Sequence, residues 1–224
     1  MKLTISKENY LKAIAEAESE GETVIAATLA RWLNVSPPAV TMALRRLKRD
    51  GMIGIAEDGE LSLTASGREI ANRLLNRHHL IERMLTEIFG MDWYKVHEEA
   101  ERLEHAVSED FERLLVEKLG IGHPCPHGNV TELDTPELRR QRGWTTLADS
   151  PPGEKVTVVS VYERDGQMLE FLHKLGVRPG SSLELVSRNY DETVTFRVEG
   201  KVAYLGAPVA RKVWVEQATV GAAR

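Results

Sequence analysis

The stretch LNVSPPAVTMALRRLKRDGMI, residues 33–53, determines the fold of the N-terminal part of the chain. Its first residues, around Asn34, predict a tight turn. Ser36 followed by two prolines predicts the start of a helix, because serine caps a first turn and proline lacks an N–H group that would be unpaired there. This helix is expected to run to Arg49 and to end at Gly51, since glycine commonly follows the last turn of a helix.

Predicted elements on both sides complete a winged helix-turn-helix. Upstream, two helices are expected, over about residues 7–17 with Ser6 as the cap and over about residues 25–32. Downstream, the run MIGIAEDGELSLT predicts two short strands joined at the Asp-Gly pair 58–59, which favours a hairpin turn. Three helices followed by a two-stranded wing are typical of DNA-binding modules. We therefore expect a DNA-binding domain over residues 1–65.

The predicted third helix has a polar and basic side. The residues expected on that side are Ser36, Pro38, Thr41, Met42, Arg45 and Arg46. Small and polar residues at the N-terminal end of such a helix can approach base edges, whereas arginines are suited to phosphates. Taken alone, the basic cluster is also compatible with a solvated, charged helix.

Histidines and glutamates recur at helical spacing in the middle of the chain. His78 and Glu82 lie four residues apart on a helix expected over about residues 64–89, and a second helix is expected over about residues 92–119. The stripe on the second helix consists of His97, Glu101, Glu104 and His105. Facing stripes on two antiparallel helices form a metal site of the helix-bundle type, and these ligands suit Mn²⁺ or Fe²⁺ without excluding Zn²⁺ or Co²⁺. Surface ion pairs are the alternative.

A second group of candidate ligands follows in the segment His123-Pro-Cys125-Pro-His127-Gly. A thiol and an imidazole two residues apart in a loop bounded by prolines can turn toward one ion. Because structural zinc takes four ligands, this loop needs further donors, and Glu82 with Glu163 or Asp165 are the candidates. An inert structural loop is the alternative.

The rest of the chain and its composition limit the classes of protein. Residues 123–153 contain five prolines and predict a connector with little regular structure, whereas residues 155–216 contain short β-rich runs. A single cysteine, no apolar N-terminal signal and no long apolar stretch predict a cytoplasmic protein without a membrane-spanning segment. The net charge of −5 does not exclude a local DNA-binding face.

The run RHHLIERMLTEIFGMDWYKVHEEAERLEHAVSEDFERLL, residues 77–115, resembles the diphtheria toxin repressor family of iron- and manganese-dependent repressors, as do residues 33–53 and the CPHG motif at 125–128. The resemblance covers nearly the whole chain and implies an α+β multidomain fold. The implied domains are an N-terminal winged helix-turn-helix over 1–65, a helical dimerisation and metal-binding domain over 66–124, a Pro-rich tether over 125–153, and an SH3-like β-barrel of the ferrous-transport-A type over 154–224.

The resemblance implies a primary metal site with His78 close by. Its implied ligands are Asn9, Glu101, Glu104 and His105. Iron-type members have Cys at the position of Glu101 and manganese-type members have Glu, so the manganese-type branch is implied. Two positions differ from the family pattern. Asn9 replaces the usual Asp or Met, with Glu8 as a possible substitute ligand, and Lys12 stands where some manganese-type members have an acid. A cation there argues against a closely spaced two-metal cluster.

The resemblance implies further metal and DNA contacts. The CPHG motif implies a second site of Glu82, Cys125, His127 and an acid of the barrel, whereas His78, Glu82 and His97 match the ancillary site of iron-type members. Both arrangements use Glu82, and the sequence leaves both open. The residues at positions that approach base pairs in relatives are Ser36, Pro38 and Met42. The expected phosphate contacts are Arg31, Thr41, Arg45, Arg46 and Arg49.

The implied function is a cytoplasmic, metal-dependent transcriptional regulator, mainly a repressor, which binds palindromic operators of metal-homeostasis genes as a homodimer. Mn²⁺ is the expected effector and Fe²⁺ the alternative, with Zn²⁺, Co²⁺ or Cd²⁺ as substitutes in vitro. A predicted apolar face supports the dimer and consists of Val96, Ala100, Leu103, Val107, Phe111 and Leu114. Two other classes stay open, a metal-buffering bundle and a winged-helix regulator insensitive to metal. No enzyme is expected, since no nucleophile or substrate cradle accompanies the glutamates.

Overall fold

The computed structural model describes residues 4–218 of the chain, which fold into two compact units. The first unit contains the described residues through Leu80, Leu103–Ile121 and Thr131–Pro136, and the second contains Ile81–Arg102, Gly122–Val130 and the described residues from Glu137 onward. Residues 1–3 and 219–224, the outer ends of the first and last predicted domains, lie outside the described residues. No helix within the described range is long and apolar enough to cross a membrane.

The first unit begins with the predicted helices and wing. These elements are α1 (Ile5–Ser19), α2 (Ala26–Leu33), α3 (Pro37–Arg49), β1 (Ile53–Ile55) and β2 (Leu61–Leu63). The prediction that Ser6 caps α1 is wrong, because the helix begins earlier and the Thr4 hydroxyl accepts a hydrogen bond from the backbone N–H of Lys7. Asn34 has a φ of 51° and forms the tight turn between α2 and α3.

The three helices and the wing pack around one apolar core. The completely buried residues of this core include Leu11, Ile14, Leu29, Val40 and Leu47. β1 and β2 pair antiparallel, with Ile53 opposite Leu63. Because α3 turns Val40 and Leu47 inward, its arginines face outward, as the sequence predicts.

The middle of the chain is less continuous than the sequence predicts. α4 (Ala65–Arg83) has residues in both units and continues into a π-helical turn over Met84–Ile88. The single helix expected over 92–119 is wrong, because two helices occur, α5 (Val96–Leu103) and α6 (Glu109–Leu119).

The break before α6 has a local cause. The Ser108 hydroxyl accepts a hydrogen bond from the N–H of Phe111 at 3.2 Å and so caps a new helix. Acidic residues in the first turn of α6 also complement the positive end of its dipole. Glu104 and His105 therefore lie in the turn between the two helices, and the predicted four-residue stripe does not run along one helix.

The predicted apolar face over residues 93–119 is divided by the same break. Val96 and Ala100 on α5 are completely buried inside the chain, so they are not available to a second copy. Phe111 and Leu114 on α6 are 42% and 58% exposed. Of the predicted face, Phe111 and Leu114 on α6 are the most exposed side chains and can contribute to a dimer contact.

The second unit is built on a six-stranded antiparallel sheet. Its strands are β3 (Thr145–Thr146), β4 (Lys155–Val161), β5 (Ser182–Arg188), β6 (Val194–Val198), β7 (Lys201–Leu205) and β8 (Val213–Gln217), in the order β3-β8-β4-β5-β6-β7. Between the strands lie α8 (Gly166–Lys174) and the single turn α9 (Ala207–Ala210), whereas α7 (Pro136–Gln141) precedes β3. Alternating apolar residues of the strands pack with Leu169 and Leu172 of α8 around the completely buried Phe196.

The connector expected over residues 123–153 contains more regular structure than its prolines predict. It includes α7, and β3 pairs with β8 through Thr145 opposite Val215. Pro136 is the first residue of α7, where a missing N–H costs nothing, so this proline starts structure instead of preventing it.

Gly128 follows the Cys-Pro-His motif and has a φ of +84°. A Cβ atom at this position would lie 1.9 Å from the carbonyl oxygen of Val159 in β4. We expect Gly128→Ala to lower the free energy of unfolding by about 2–4 kcal/mol, from left-handed backbone strain and steric overlap together. Urea unfolding would measure this loss.

The matched control is Gly122→Ala. Gly122 has a φ of +76°, but a Cβ atom added there would have no neighbour within 4 Å, so only the strain of about 1–2 kcal/mol is expected. Equal losses of unfolding free energy in the two variants would mean that steric overlap with β4 does not contribute to the destabilisation by Gly128→Ala.

Candidate functional site

Five ionisable side chains meet in the interior of the second unit. They come from the end of α4, from α5, from the loop after α6 and from the segment between β4 and α8. The residues are Glu82, His97, Cys125, His127 and Glu163, and each is at most 8% exposed. We call this group the second-unit cluster.

Two carboxylates bracket the two imidazoles of the cluster. Oε1 of Glu82 lies 3.3 Å from Nδ1 of His97 and 3.4 Å from Nδ1 of His127. Glu163 approaches the same rings from its own side, with Oε1 3.8 Å from Nδ1 of His97 and Oε2 3.5 Å from Nδ1 of His127. The four side chains thus point toward one small volume.

Cys125 adds a sulfur atom to this volume. Its Sγ lies 3.4 Å from Oε2 of Glu163 and 3.7 Å from Nδ1 of His127. One ligand atom from each of Glu82, Cys125 and Glu163 can be chosen so that all three lie within 4.8 Å of one another. Burial, reinforced by the negative charges of Glu82 and Glu163, raises the pKa of the Cys125 thiol well above its usual value.

The loop that carries Cys125 and His127 is held by its own backbone. The N–H of Gly128 donates to the carbonyl of Cys125 at 2.8 Å, and the N–H of Cys125 donates to the carbonyl of Asn129 at 2.9 Å. The side-chain amide of Asn129 donates to Oε2 of Glu163 at 2.7 Å, which orients that carboxylate. Asn129 was not among the predicted site residues, although its position directly after the CPHG motif is a signal.

The donor set fits a divalent cation. Two carboxylates buried together are costly unless positive charge compensates them. An ion bound among them would replace mutual repulsion by coordinate bonds. Carboxylate oxygens and imidazole nitrogens suit Mn²⁺ and Fe²⁺, and the single sulfur widens the set toward softer ions.

Two other predicted ligands are not part of this cluster. Asp165 is exposed and caps α8, with Oδ1 accepting the N–H of Met168 at 2.9 Å, so of the two candidate barrel acids only Glu163 reaches the cluster. Glu101 is a partly exposed residue of α5. Its Oε1 lies 3.7 Å from Nε2 of His97 and 3.6 Å from a guanidinium nitrogen of Arg164.

Glu104 and His78 lie in the first unit, where both contact the side chain of Lys12. Oε2 of Glu104 lies 2.7 Å from Nζ of Lys12 and 2.7 Å from Nδ1 of His78. Burial alone would raise the pKa of Glu104, but the hydrogen bond with His78 and the charge of Lys12 outweigh it and lower this pKa to about 2. Glu104 is therefore an ionised carboxylate with a cation already beside it.

His105 and α1 face each other in the same unit. Nδ1 of His105 lies 3.1 Å from Oε2 of Glu8, and Nε2 lies 3.4 Å from Oε1 of Glu104. Asn9, the implied ligand on α1, is half-buried. The side chain next to Asn9, that of Glu8, is the one that reaches His105.

The residues expected to contact DNA are all exposed. They are Arg31, Ser36, Pro38, Thr41, Met42, Arg45, Arg46 and Arg49. Met42 is 55% exposed, which is unusual for a large apolar side chain on a helix whose opposite side is buried. Arg31 forms an ion pair with Glu22, and Arg49 forms one with Asp50.

Three family models match successive parts of the chain. They are the iron dependent repressor N-terminal DNA binding domain over residues 2–61, the iron dependent repressor metal binding and dimerisation domain over 64–132, and the FeoA domain over 145–217. The diphtheria toxin repressor of Corynebacterium diphtheriae is 33% identical over 96% of this chain and 98% of its own length. The chain belongs to the diphtheria toxin repressor family. The iron-dependent repressor IdeR of Mycobacterium tuberculosis is 41% identical over 70% of this chain and 71% of its own length.

Solved structures of manganese-dependent regulators are similar to this chain in fold. A manganese-dependent transcriptional repressor in complex with manganese has a TM-score of 0.84 at 29% identity, covering 95% of this chain and 100% of that one. The manganese regulator SloR has a TM-score of 0.77 at 28% identity, covering 96% and 100%. The predicted order of a helix-turn-helix domain, a helical dimerisation domain and an SH3-like domain is confirmed. The family consists of metal-dependent transcriptional repressors, which are not enzymes.

Proposed function

We propose that the chain is a homodimeric, metal-dependent repressor that acts in the cytoplasm on palindromic operators of metal-homeostasis genes. Its effector ion is Mn²⁺, held by the second-unit cluster. The observation that carries the proposal is the convergence of two buried carboxylates, two imidazoles and a thiol in a chain that also presents an exposed basic recognition helix.

The cluster supplies a physical basis for a response to metal. A bound divalent ion supplies positive charge to the two buried carboxylates and coordinates the side chains around it. The ligands of the second-unit cluster would then hold four segments in one arrangement. These segments are the end of α4, α5, the 122–130 loop and the segment that contains Glu163. Such an ion changes operator affinity to the extent that it binds the DNA-competent conformation more tightly than the other. α4, whose residues are divided between the two units, is a covalent link along which the bias can act.

Mn²⁺ is proposed because four of the five donors of the second-unit cluster are carboxylates or imidazoles. The structural similarity to a repressor in complex with manganese agrees with this choice. Fe²⁺ is the second candidate, since the thiol of Cys125 is a softer ligand and binds iron more strongly than manganese. Anaerobic titration of operator binding with each ion separates the two.

The proposed homodimer and the proposed palindromic operator are consistent with each other. Phe111 and Leu114 form an exposed apolar strip at i, i+3 spacing on α6, and the matching family model is a dimerisation domain. Two recognition helices related by a two-fold axis require two inverted half-sites about one DNA turn apart.

Selection from random duplexes tests this function. Full-length protein incubated with Mn²⁺ is expected to enrich an inverted repeat, and the enrichment is expected to vanish when a chelator replaces the ion. Enrichment with and without the ion would favour the metal-insensitive regulator. If no duplex is enriched in either condition, the metal-buffering bundle is favoured instead.

Arg46 is expected to contact a phosphate. We expect Arg46→Ala to weaken binding to all sequences alike and to reduce the slope of log K against log salt by about one. Fluorescence anisotropy at several salt concentrations measures both effects. The control is Arg102→Ala, since Arg102 is also an exposed arginine but lies on α5. A loss limited to one operator position would mean that Arg46 reads a base.

A further inference from the structure

Lys12 is a lysine in the interior of the first unit. It is 4% exposed, although it lies on α1, whose first turn is open to solvent. Lysine is among the residues least often buried, and a buried ammonium needs a compensating charge. Its position therefore requires partners that the rest of the unit must supply.

These partners converge on Nζ from three sides. Oε2 of Glu104 lies at 2.7 Å, Nδ1 of His78 at 3.0 Å and Oε1 of Glu16 at 3.9 Å. The tautomer of His78 decides whether its Nδ1 accepts from Lys12 or donates to Glu104. Glu104 and His78 are themselves buried, at 2% and 0% exposure. Lys12, His78 and Glu104 form a closed triangle of contacts, which we call the Lys12 site.

Glu104 and His78 are also the residues that the family resemblance places in or beside a primary divalent-metal site. In this chain the residue set around them does not fit such an ion. An ammonium already contacts both the carboxylate and the imidazole, and a divalent ion in the same space would be repelled at short range in a medium of low effective dielectric. His105, another implied ligand of this unit, has its two ring nitrogens turned to different carboxylates.

We propose that the Lys12 ammonium is the resident cation of this site, and that it ties α1 to Glu104 and His78 where relatives use a divalent ion. The site then takes no divalent metal. Because the tie is covalently attached to α1, it is formed whether or not metal is supplied. The metal response of the proposed repressor is thereby assigned to the second-unit cluster.

The experiment measures Mn²⁺ binding in a parent variant that lacks the second-unit cluster. Cys125→Ser with His127→Gln removes two donors there and leaves the first unit unchanged. Isothermal titration calorimetry of the full-length parent is expected to detect no stoichiometric Mn²⁺ binding. Adding Lys12→Gln is expected to create one site per chain and to raise Mn²⁺ affinity at least about 100-fold, because the repelling charge is gone.

Two controls accompany the measurement. Lys7→Gln removes a lysine from the same helix that pairs with Asp50 instead, and it is expected to leave Mn²⁺ binding at the level of the parent. Lys12→Arg retains the positive charge and is expected to bind no Mn²⁺. Thermal denaturation gives a second readout, since Mn²⁺ should raise the Tm of the Lys12→Gln variant and not that of the parent.

Stoichiometric Mn²⁺ binding by the parent that disappears on Glu104→Gln would overturn the proposal. A folded Lys12→Gln variant that gains no Mn²⁺ affinity would overturn it as well. If Lys12→Gln does not fold, the parent and Lys12→Arg decide the question. No DNA is present in the experiment, so failure of the proposed repressor function would not affect its outcome.

Discussion

Glu82→Gln is expected to lower the affinity of the full-length chain for Mn²⁺ by at least about 100-fold and to abolish ion-dependent operator binding. Glu82 is completely buried and its carboxylate lies within 3.4 Å of both imidazoles of the cluster. The amide keeps the size of the side chain but removes the charge that attracts the ion. Calorimetry measures the affinity, and anisotropy with a selected operator measures the DNA response.

Loss of fold is not expected to cause this effect. In the metal-free protein Glu82→Gln removes one of two buried carboxylates of the cluster, so the Tm without metal should stay the same or rise. The control is Glu87→Gln in the π-helical turn, whose side chain is 49% exposed and pairs with Arg83. An unchanged Mn²⁺ affinity in Glu82→Gln, with the control also unchanged, would show that the ion binds elsewhere.

The double variant Phe111→Asp, Leu114→Asp is expected to dissociate the dimer. Each apolar side chain at the centre of an interface contributes about 2 kcal/mol, so the two changes together should raise the dimer Kd about 1000-fold. Operator affinity should fall with it, because a monomer presents one recognition helix to a two-fold site. Analytical ultracentrifugation measures the first effect and anisotropy the second.

Tyr204→Asp is the matched control for the dimer. Tyr204 is 60% exposed on β7 of the second unit, so this substitution introduces an aspartate at an equally accessible large side chain, with one added charge where the double variant adds two. It should leave the sedimentation coefficient unchanged. A double variant on α6 that still sediments as a dimer would place the interface on another surface.

Local signals in the sequence were sufficient for the N-terminal fold. The Ser-Pro-Pro start of α3 and the Asp-Gly turn of the wing act over a few residues, and the apolar spacing of α3 matches its buried side. The prediction of one continuous helix over residues 92–119 was wrong, and a local signal is again the reason. A cap at Ser108 followed by acidic residues is a start signal, but apolar and charged periodicity continues through it and conceals the break.

The candidate site was predictable in its residue types and less so in its partners. The i, i+4 pairs and the CPHG motif identified Glu82, His97, Cys125 and His127. The choice between Glu163 and Asp165 depends on the cap of α8. The side chain of Asp165 forms this cap by accepting a hydrogen bond from the N–H of Met168. The proposed role of Lys12 depends on its contacts with His78 and Glu104. These residues are 66 and 92 positions away from Lys12 in the chain, and no spacing rule predicts contacts at such separations.

In the proposed function, one divalent ion in the second-unit cluster controls operator binding. The most direct test is the Kd of full-length wild-type protein for its selected operator, measured by anisotropy at one salt concentration in saturating Mn²⁺ and in chelator. We predict a Kd that is about 100-fold lower with Mn²⁺. Equal Kd values in the two conditions would contradict the claim.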